Sequence, residues 1–218
     1  MFDSYDILVA LKKLGLLQNS PAWWWPNALS FEVVIGAILT QNTKWENVEK
    51  SLKSLKNYSL LNGDDEKSLN NIACIQKEIL ASHIGSSGFF NQKSIRLILL
   101  CQNILEDFGS FGNFVMNVDR EWLLGQKGIG RESADAILNY ACGREVMVID
   151  KYTYKFLCSL GIDIQDYEQL QIWFERGIQE NLQRVFDLYP KKITLAQIYS
   201  RFHGKIVEFS KKKSKLEL

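Results

Sequence analysis

Apolar residues recur every three to four positions along most of this chain, the period of an amphipathic helix. Over 4–17, Ile7, Leu8, Leu11 and Leu14 fall on one face, with Gly15 near the end. A loop carrying Pro21, Trp23, Trp24, Trp25 and Pro26 follows, and Ser30 is placed to cap a helix over 31–40. The pattern predicts further helices over 45–55, 66–74, 76–82 and 91–108. Two more, over 118–124 and through Ala134, Ile137, Leu138 and Ala141, flank Gly128 and Gly130. After the apolar run Val146-Met147-Val148-Ile149, helices are expected over 151–159, over 166–187 with a break, and over 194–207. The expected fold class is all-α.

The stretch Gln126-Lys127-Gly128-Ile129-Gly130-Arg131-Glu132-Ser133-Ala134 reads as helix, tight glycine turn, helix. Glycine permits positive φ and a close approach of backbone to a ligand. The N–H groups opening the second helix suit an anion, and a DNA phosphate is a natural occupant. The plainer reading is a helix-connecting turn with a glycine cap. Asp150 ends the apolar run, which holds a carboxylate rigidly. An Asp there also caps a helix beginning at Lys151.

Composition narrows the class. The chain's 218 residues suffice for one compact domain or two small lobes, and 46% hydrophobic content supplies a core. A net charge of +1 neither supports nor excludes a nucleic-acid partner, because the distribution of charge decides. Cations concentrate at Lys191-Lys192 and in the tail Lys211-Lys212-Lys213-Ser214-Lys215, which reads as a solvated terminus or a phosphate contact. The four cysteines, Cys74, Cys101, Cys142 and Cys158, form no C-x-x-C pair and are expected as reduced core residues. No stretch is long and apolar enough to span a membrane, and the amphipathic N-terminus is unlike a signal peptide. A cytoplasmic protein is the expectation, nucleoid-associated if the source is bacterial.

The string Gly128-Ile129-Gly130-Arg131-Glu132-Ser133-Ala134, followed by Val146-Met147-Val148-Ile149-Asp150, resembles the helix-hairpin-helix DNA glycosylases of the endonuclease III superfamily. Members typically write Leu-Pro-Gly-Val-Gly-Arg-Lys-Thr-Ala, then an apolar run ending in the catalytic Asp. Here Gln126-Lys127 replaces Leu-Pro and Glu132 replaces Lys. Ile84-Gly85-Ser86-Ser87-Gly88-Phe89-Phe90-Asn91-Gln92-Lys93 and Thr40-Gln41-Asn42-Thr43 extend the resemblance over most of 1–207.

The resemblance implies two helical lobes with an interlobe cleft. One lobe would take 1–22 with 146–218. The other, over 23–145, would hold six helices including the hairpin at about 118–141. Asp150 would be the catalytic carboxylate, stabilising positive charge on the sugar and orienting water. Glu132 stands where relatives that cut the backbone carry a Schiff-base lysine, so an enzyme without lyase activity is implied. A first-turn acid is also simply favourable at a helix start. Trp24, Trp25, Pro26, Trp45 and Glu132 are the candidate base pocket, since indoles stack well on a cationic, flipped base. Those tryptophans could equally seal a junction between lobes.

Gln41 is expected to fill the gap left by the extruded base, or merely to end a helix near Asn42. Lys127, Gly128, Gly130, Arg131 and Ser133, with Lys211 from the tail, are the candidate DNA-backbone contacts. No metal site is expected among side chains, though relatives often hold a monovalent cation at this turn. Relatives also carry an iron–sulfur cluster on four C-terminal cysteines, the first just after a His-Gly pair. His203-Gly204 is present, but Glu208 holds that cysteine's position and no cysteine follows Cys158, so no cluster is expected. Ala37 stands where adenine-mismatch enzymes place a Glu. The reading is therefore a monomeric base excision repair enzyme acting on double-stranded DNA with damaged bases, hydrolysing out alkylated purines, 3-methyladenine above all. A mismatch or oxidised-pyrimidine glycosylase of the same fold and a non-catalytic hairpin DNA-binding protein are the alternatives.

Overall fold

The structure, a computed structural model, describes residues 2–18, 20, 22–189, 191–212 and 216; Pro21 and the tail residues Lys213, Ser214 and Lys215 named above lie outside the described residues. Regular structure among the described residues is entirely helical. It divides into two compact units, Met1–Pro26 with Gly143–Leu218, and Asn27–Cys142. The division falls after Pro26 rather than after residue 22. Trp24 is the reason: its backbone N–H donates to Ser200 Oγ at 3.0 Å, and its ring packs on His203.

The chain opens with α1 (Ser4–Lys13), then builds the whole of Asn27–Cys142 before returning. In that unit run α2 (Phe31–Leu39), α3 (Trp45–Asn57), α4 (Asp65–Cys74), α5 (Lys77–His83), a 3-10 turn (Gly85–Ser87), α6 (Phe90–Phe108), α7 (Phe111–Asn117), α8 (Arg120–Gly125) and α9 (Arg131–Ala136), the last continued by a π turn over Ile137–Ala141. The return passes through α10 (Lys151–Ser159), α11 (Tyr167–Glu180), α12 (Leu182–Asp187) and α13 (Leu195–Lys212).

Several elements depart from expectation. Helix α1 stops at Lys13 because Gly15 (φ 67°) and Leu17 (φ 60°) turn the chain into the left-handed region. Helix α7 was not expected, and with it the middle unit carries eight α-helices among its described residues rather than six. Ser110 makes α7 possible by accepting the Asn113 N–H, and Phe111 and Phe114 are buried. The hairpin's second α-helix is only six residues long before it widens into the π turn. The cysteines are also unlike the expectation: Cys101 alone is buried, Cys142 and Cys158 are half-buried, and Cys74 is exposed at the end of α4. Burial pushes the Cys101 thiol well up from its ordinary value.

Each unit has its own packing logic. In the middle unit α6 packs against α2, α4, α5 and α7, and α2 is apolar almost all round, as a helix enclosed by others must be. In the unit of the two termini, α1 packs on α11 and α13, and α10 on α13. Its core includes Ile7, Leu8, Leu11, Phe174, Phe202 and Ile206, all fully buried. Side-chain caps punctuate both units. Asp3, Asp64, Asp119, Asp150 and Asp166 each accept an N–H from the first turn of the following helix, each worth about 1 kcal/mol.

Candidate functional site

Three of the sequence motifs converge within Asn27–Cys142. Lys93, near the start of α6, is 2% exposed, and its Nζ donates to Leu39 O (2.7 Å), Thr43 Oγ1 (2.8 Å) and Ser87 O (2.8 Å). Burial, with a smaller push from the Arg96 charge, lowers the ammonium to about 8. The Thr43 hydroxyl donates in turn to Ser87 O. One buried cation thus ties the end of α2, the 40–43 loop and the 3-10 turn together, and this is what the Gly-aromatic-aromatic-x-x-Lys motif accomplishes.

The loop held in this way carries Gln41. Its Nε2 donates to Gly128 O at 2.8 Å and Ser133 Oγ at 3.0 Å, and its Oε1 accepts from Arg96 Nη1 at 3.0 Å. Gln41 therefore does not end α2, where Thr40 is the C-cap; it reaches the hairpin. The hairpin turns at Gly128 (φ 83°), which a side chain would strain. Ile129 is the buried pivot, while Lys127, Gly128, Gly130, Arg131 and Glu132 are exposed. Below the turn, Arg120 on α8 forks onto Asp135 on α9, Nε to Oδ1 at 2.7 Å and Nη2 to Oδ2 at 3.2 Å. The Asp135 side chain is wholly buried, so this pair braces the two arms of the hairpin. Helix α9 is short, six residues, so its dipole is small and the charge at the turn is carried mainly by Lys127 and Arg131.

Asp150 lies in the other unit, and its surroundings follow from the chain before it. Met147, Val148 and Ile149 are buried, and the backbone of this extended run is satisfied by α11: Met147 N donates to Glu175 Oε1 (2.8 Å), and Gln171 Nε2 donates to Met147 O (2.7 Å). The segment delivers Asp150 to the N-cap of α10. Its Oδ1 accepts both the Thr153 N–H (2.7 Å) and the Thr153 hydroxyl (2.9 Å). Its Oδ2 faces His203 Nε2 on α13 at 3.4 Å. Burial alone would push this carboxyl up, but His203 and the Thr153 hydrogen bonds together outweigh it and hold the group at about 2. The capping and catalytic readings of Asp150 are thus compatible. Oδ1 is spent on the cap, and Oδ2 keeps accepting capacity.

Aromatic rings crowd the same place. Trp24 meets His203 edge to face, centroids 5.0 Å apart, and meets Trp25 the same way at 6.2 Å. A Cβ on Gly204 would fall 2.2 Å from Trp24 Cγ, so glycine there lets the indole lie against α13. Trp25 is 9% exposed and Pro26 is exposed.

The structure therefore groups the expected residues in two sets. Asp150, Trp24, Trp25 and Pro26 belong to the unit of the termini; Gln41, Trp45, Lys127, Gly128, Gly130, Arg131, Glu132 and Ser133 belong to Asn27–Cys142. Trp45 is half-buried at the first position of α3, and Glu132 sits in the first turn of α9. Lys211 is exposed on the last turn of α13, 3.3 Å from Glu208. His203, Thr153, Arg96 and the Arg120–Asp135 fork were not anticipated. Thr153 could have been, since an Asp capping a helix looks three residues ahead for its donor. His203, one of only two histidines, had no local signal pointing to Asp150.

Comparison with known proteins places the chain in a family. Residues 35–180 match the model of the HhH-GPD superfamily base excision DNA repair protein. A Methanocaldococcus jannaschii protein named as a DNA repair glycosylase is 35% identical over 217 residues, 96% of this chain and 90% of the relative. Endonuclease III of Thermotoga maritima is 24% identical over 182 residues, 84% of this chain and 73% of its own. Among solved structures, H. pylori 3-methyladenine DNA glycosylase (MagIII) bound to 1,N6-ethenoadenine superposes with a TM-score of 0.97 at 62% identity, covering 99% of this chain and 100% of that one. A trapped endonuclease III–DNA covalent intermediate shares the fold at a TM-score of 0.65 and 18% identity, covering 96% of this chain and 86% of that one.

Proposed function

This chain belongs to the HhH-GPD superfamily of base excision DNA repair proteins, and from that premise we propose that it is a glycosylase for alkylated purines, 3-methyladenine above all. The 62% identity to a 3-methyladenine DNA glycosylase over the whole chain supports this substrate class. The observation that carries the reaction is the Asp150 carboxylate, fixed through one oxygen and kept ionised by its surroundings.

A 3-methylated adenine is cationic and leaves without further protonation. As the glycosidic bond breaks, positive charge builds on the sugar, and a preorganised anion in a place poor in water stabilises that charge. Oδ2 of Asp150, which Thr153 leaves facing only the more distant His203 Nε2, is the oxygen proposed for this work, because Thr153 takes both donations on Oδ1. The same oxygen orients or deprotonates the attacking water. Trp24 is the proposed stacking surface for the cationic base, with Trp25 behind it. Lys127, Gly128, Gly130, Arg131 and Ser133 are proposed to hold the DNA backbone, with Gln41 entering the gap left by the base.

The strand is proposed to stay intact. Imine formation with the sugar needs an amine, and Glu132 presents a carboxylate where relatives place that lysine. Borohydride should therefore trap no covalent protein–DNA adduct, and a robust trapped species would refute this part.

The residues present do not fit an iron–sulfur cluster. Such clusters need four thiolates together, which relatives gather after the His-Gly pair, yet no cysteine follows Cys158 and Glu208 sits in an unbroken α13. A monovalent cation at the hairpin would have to share the Gly128 carbonyl with the Gln41 amide or use other oxygens of the turn. Base release from alkylated duplex DNA, with Asp150→Asn as the control, tests the assignment.

A further inference from the structure

The Gln41 side chain makes three hydrogen bonds. Both acceptors of its Nε2, Gly128 O and Ser133 Oγ, lie on the hairpin, and its Oε1 is held by Arg96. A side chain arranged in this way cannot enter a duplex until three hydrogen bonds break. Arg96 is the charged member of the set. It rises from α6 three residues after the buried Lys93, so its base is anchored by the most constrained part of the unit. Its guanidinium crosses the turn so closely that a Cβ on Gly128 would fall 2.3 Å from Nε and 2.7 Å from Cζ. The group is half-buried, and among the described residues its one hydrogen bond is the donation to Gln41. A guanidinium has five N–H donors, and a phosphate takes two of them at once more strongly than an amide oxygen takes one.

We propose that Arg96 is a positioning residue that keeps Gln41 docked on the hairpin until a DNA phosphate arriving at the Gly128 turn takes over the guanidinium, so that backbone engagement releases the side chain that fills the gap. The proposal rests on the reading of Gln41 given above. It explains why the hairpin and the 40–43 loop are wired together through side chains rather than merely adjacent. Without a phosphate at the turn the wedge stays stored. On DNA, the exchange of an amide for a phosphate at Arg96 undoes one of the three bonds and leaves the other two to be exchanged with the duplex.

The test uses the full chain and a duplex containing a stable abasic analogue beside a fluorescent adenine analogue, which reports extrusion and gap filling. Affinity is measured across a salt series for wild type, Arg96→Met, Arg96→Lys, Gln41→Ala and the Arg96→Met/Gln41→Ala double variant. One lost phosphate contact lowers the slope of log affinity against log salt by about 0.9. Arg96→Met should show that loss and change the fluorescence signal severalfold in the wild-type background but not in Gln41→Ala. Arg96→Lys, which keeps the charge and loses the fork, should restore the salt slope but not the signal. An unchanged slope in Arg96→Met, or the same change of signal with and without Gln41, overturns the proposal. A Gln41→Ala variant with a wild-type signal overturns instead the wedge role of Gln41, and the Arg96 slope then still reports the phosphate.

Discussion

His203 Nε2 lies 3.4 Å from Asp150 Oδ2, too long for a strong hydrogen bond but close enough for the imidazole to act on the carboxylate's charge. The pair bridges α13 and the N-terminus of α10. It faces the one Asp150 oxygen that Thr153 leaves open. We expect His203→Leu to let burial dominate, raising the Asp150 pKa. Single-turnover base release should then gain an acid limb at higher pH than in wild type, with abasic-DNA affinity little changed. Superimposable pH profiles would show that His203 does not act on Asp150.

Acid stability carries the same signature. Asp150 titrates at about 2 in the folded protein, below the ~3.9 of an unfolded Asp. A depressed carboxylate contributes stability that is fully present above the unfolded value and lost as pH falls through the folded one. The window is therefore roughly pH 4 to 2, and the contribution is about 2 kcal/mol. Urea denaturation across that range should show a shallower acid dependence for Asp150→Asn than for wild type. Equal slopes would remove the linkage.

Gly204→Ala should dislodge Trp24. The added methyl would stand 2.2 Å from Cγ of the indole, and a ring bound through its backbone to Ser200 cannot retreat freely. Overpacking of this kind costs about 1–3 kcal/mol. A lower melting temperature together with weakened base release is the expected pair of outcomes. Wild-type values for both would show that the indole tolerates the methyl.

The hairpin's brace gives a third stability prediction. Arg120→Ala leaves the Asp135 carboxylate buried without its fork, at a cost of about 3 kcal/mol. Replacing both partners, as Arg120→Met with Asp135→Leu, should recover much of that loss. Chemical denaturation of the single and double variants measures the difference. A single variant as stable as wild type would contradict the brace.

Most of the helical framework was legible because amphipathic period and capping act locally. The expected span 151–159 coincides with α10, where Asp150 supplies the cap and the apolar run supplies the stop before it. The expected break within 166–187 falls at Asn181, between α11 and α12. Helix α7 was hidden because Gly112, Asn113 and Val115 are weak helix formers, and two buried phenylalanines and a serine cap stabilise it instead. The burial of the cysteines was misjudged because helical context does not say which face turns inward; Cys74 is on the outer side of α4. The site was legible only where residues are close in sequence. Gln41 to Ser133, Arg96 to Gln41 and His203 to Asp150 are contacts made by tertiary packing, and no local pattern announces them.

Incubating the purified protein and its Asp150→Asn variant with alkylated duplex DNA, and identifying the bases set free, tests the assignment of Asp150 and of the substrate most directly. The wild type should free 3-methyladenine, with the strand unbroken until the abasic sites are cleaved chemically. Asp150→Asn should release none and should still bind abasic DNA. Failure of the wild type to free any methylated purine, or equal release by the variant, would contradict the assignment.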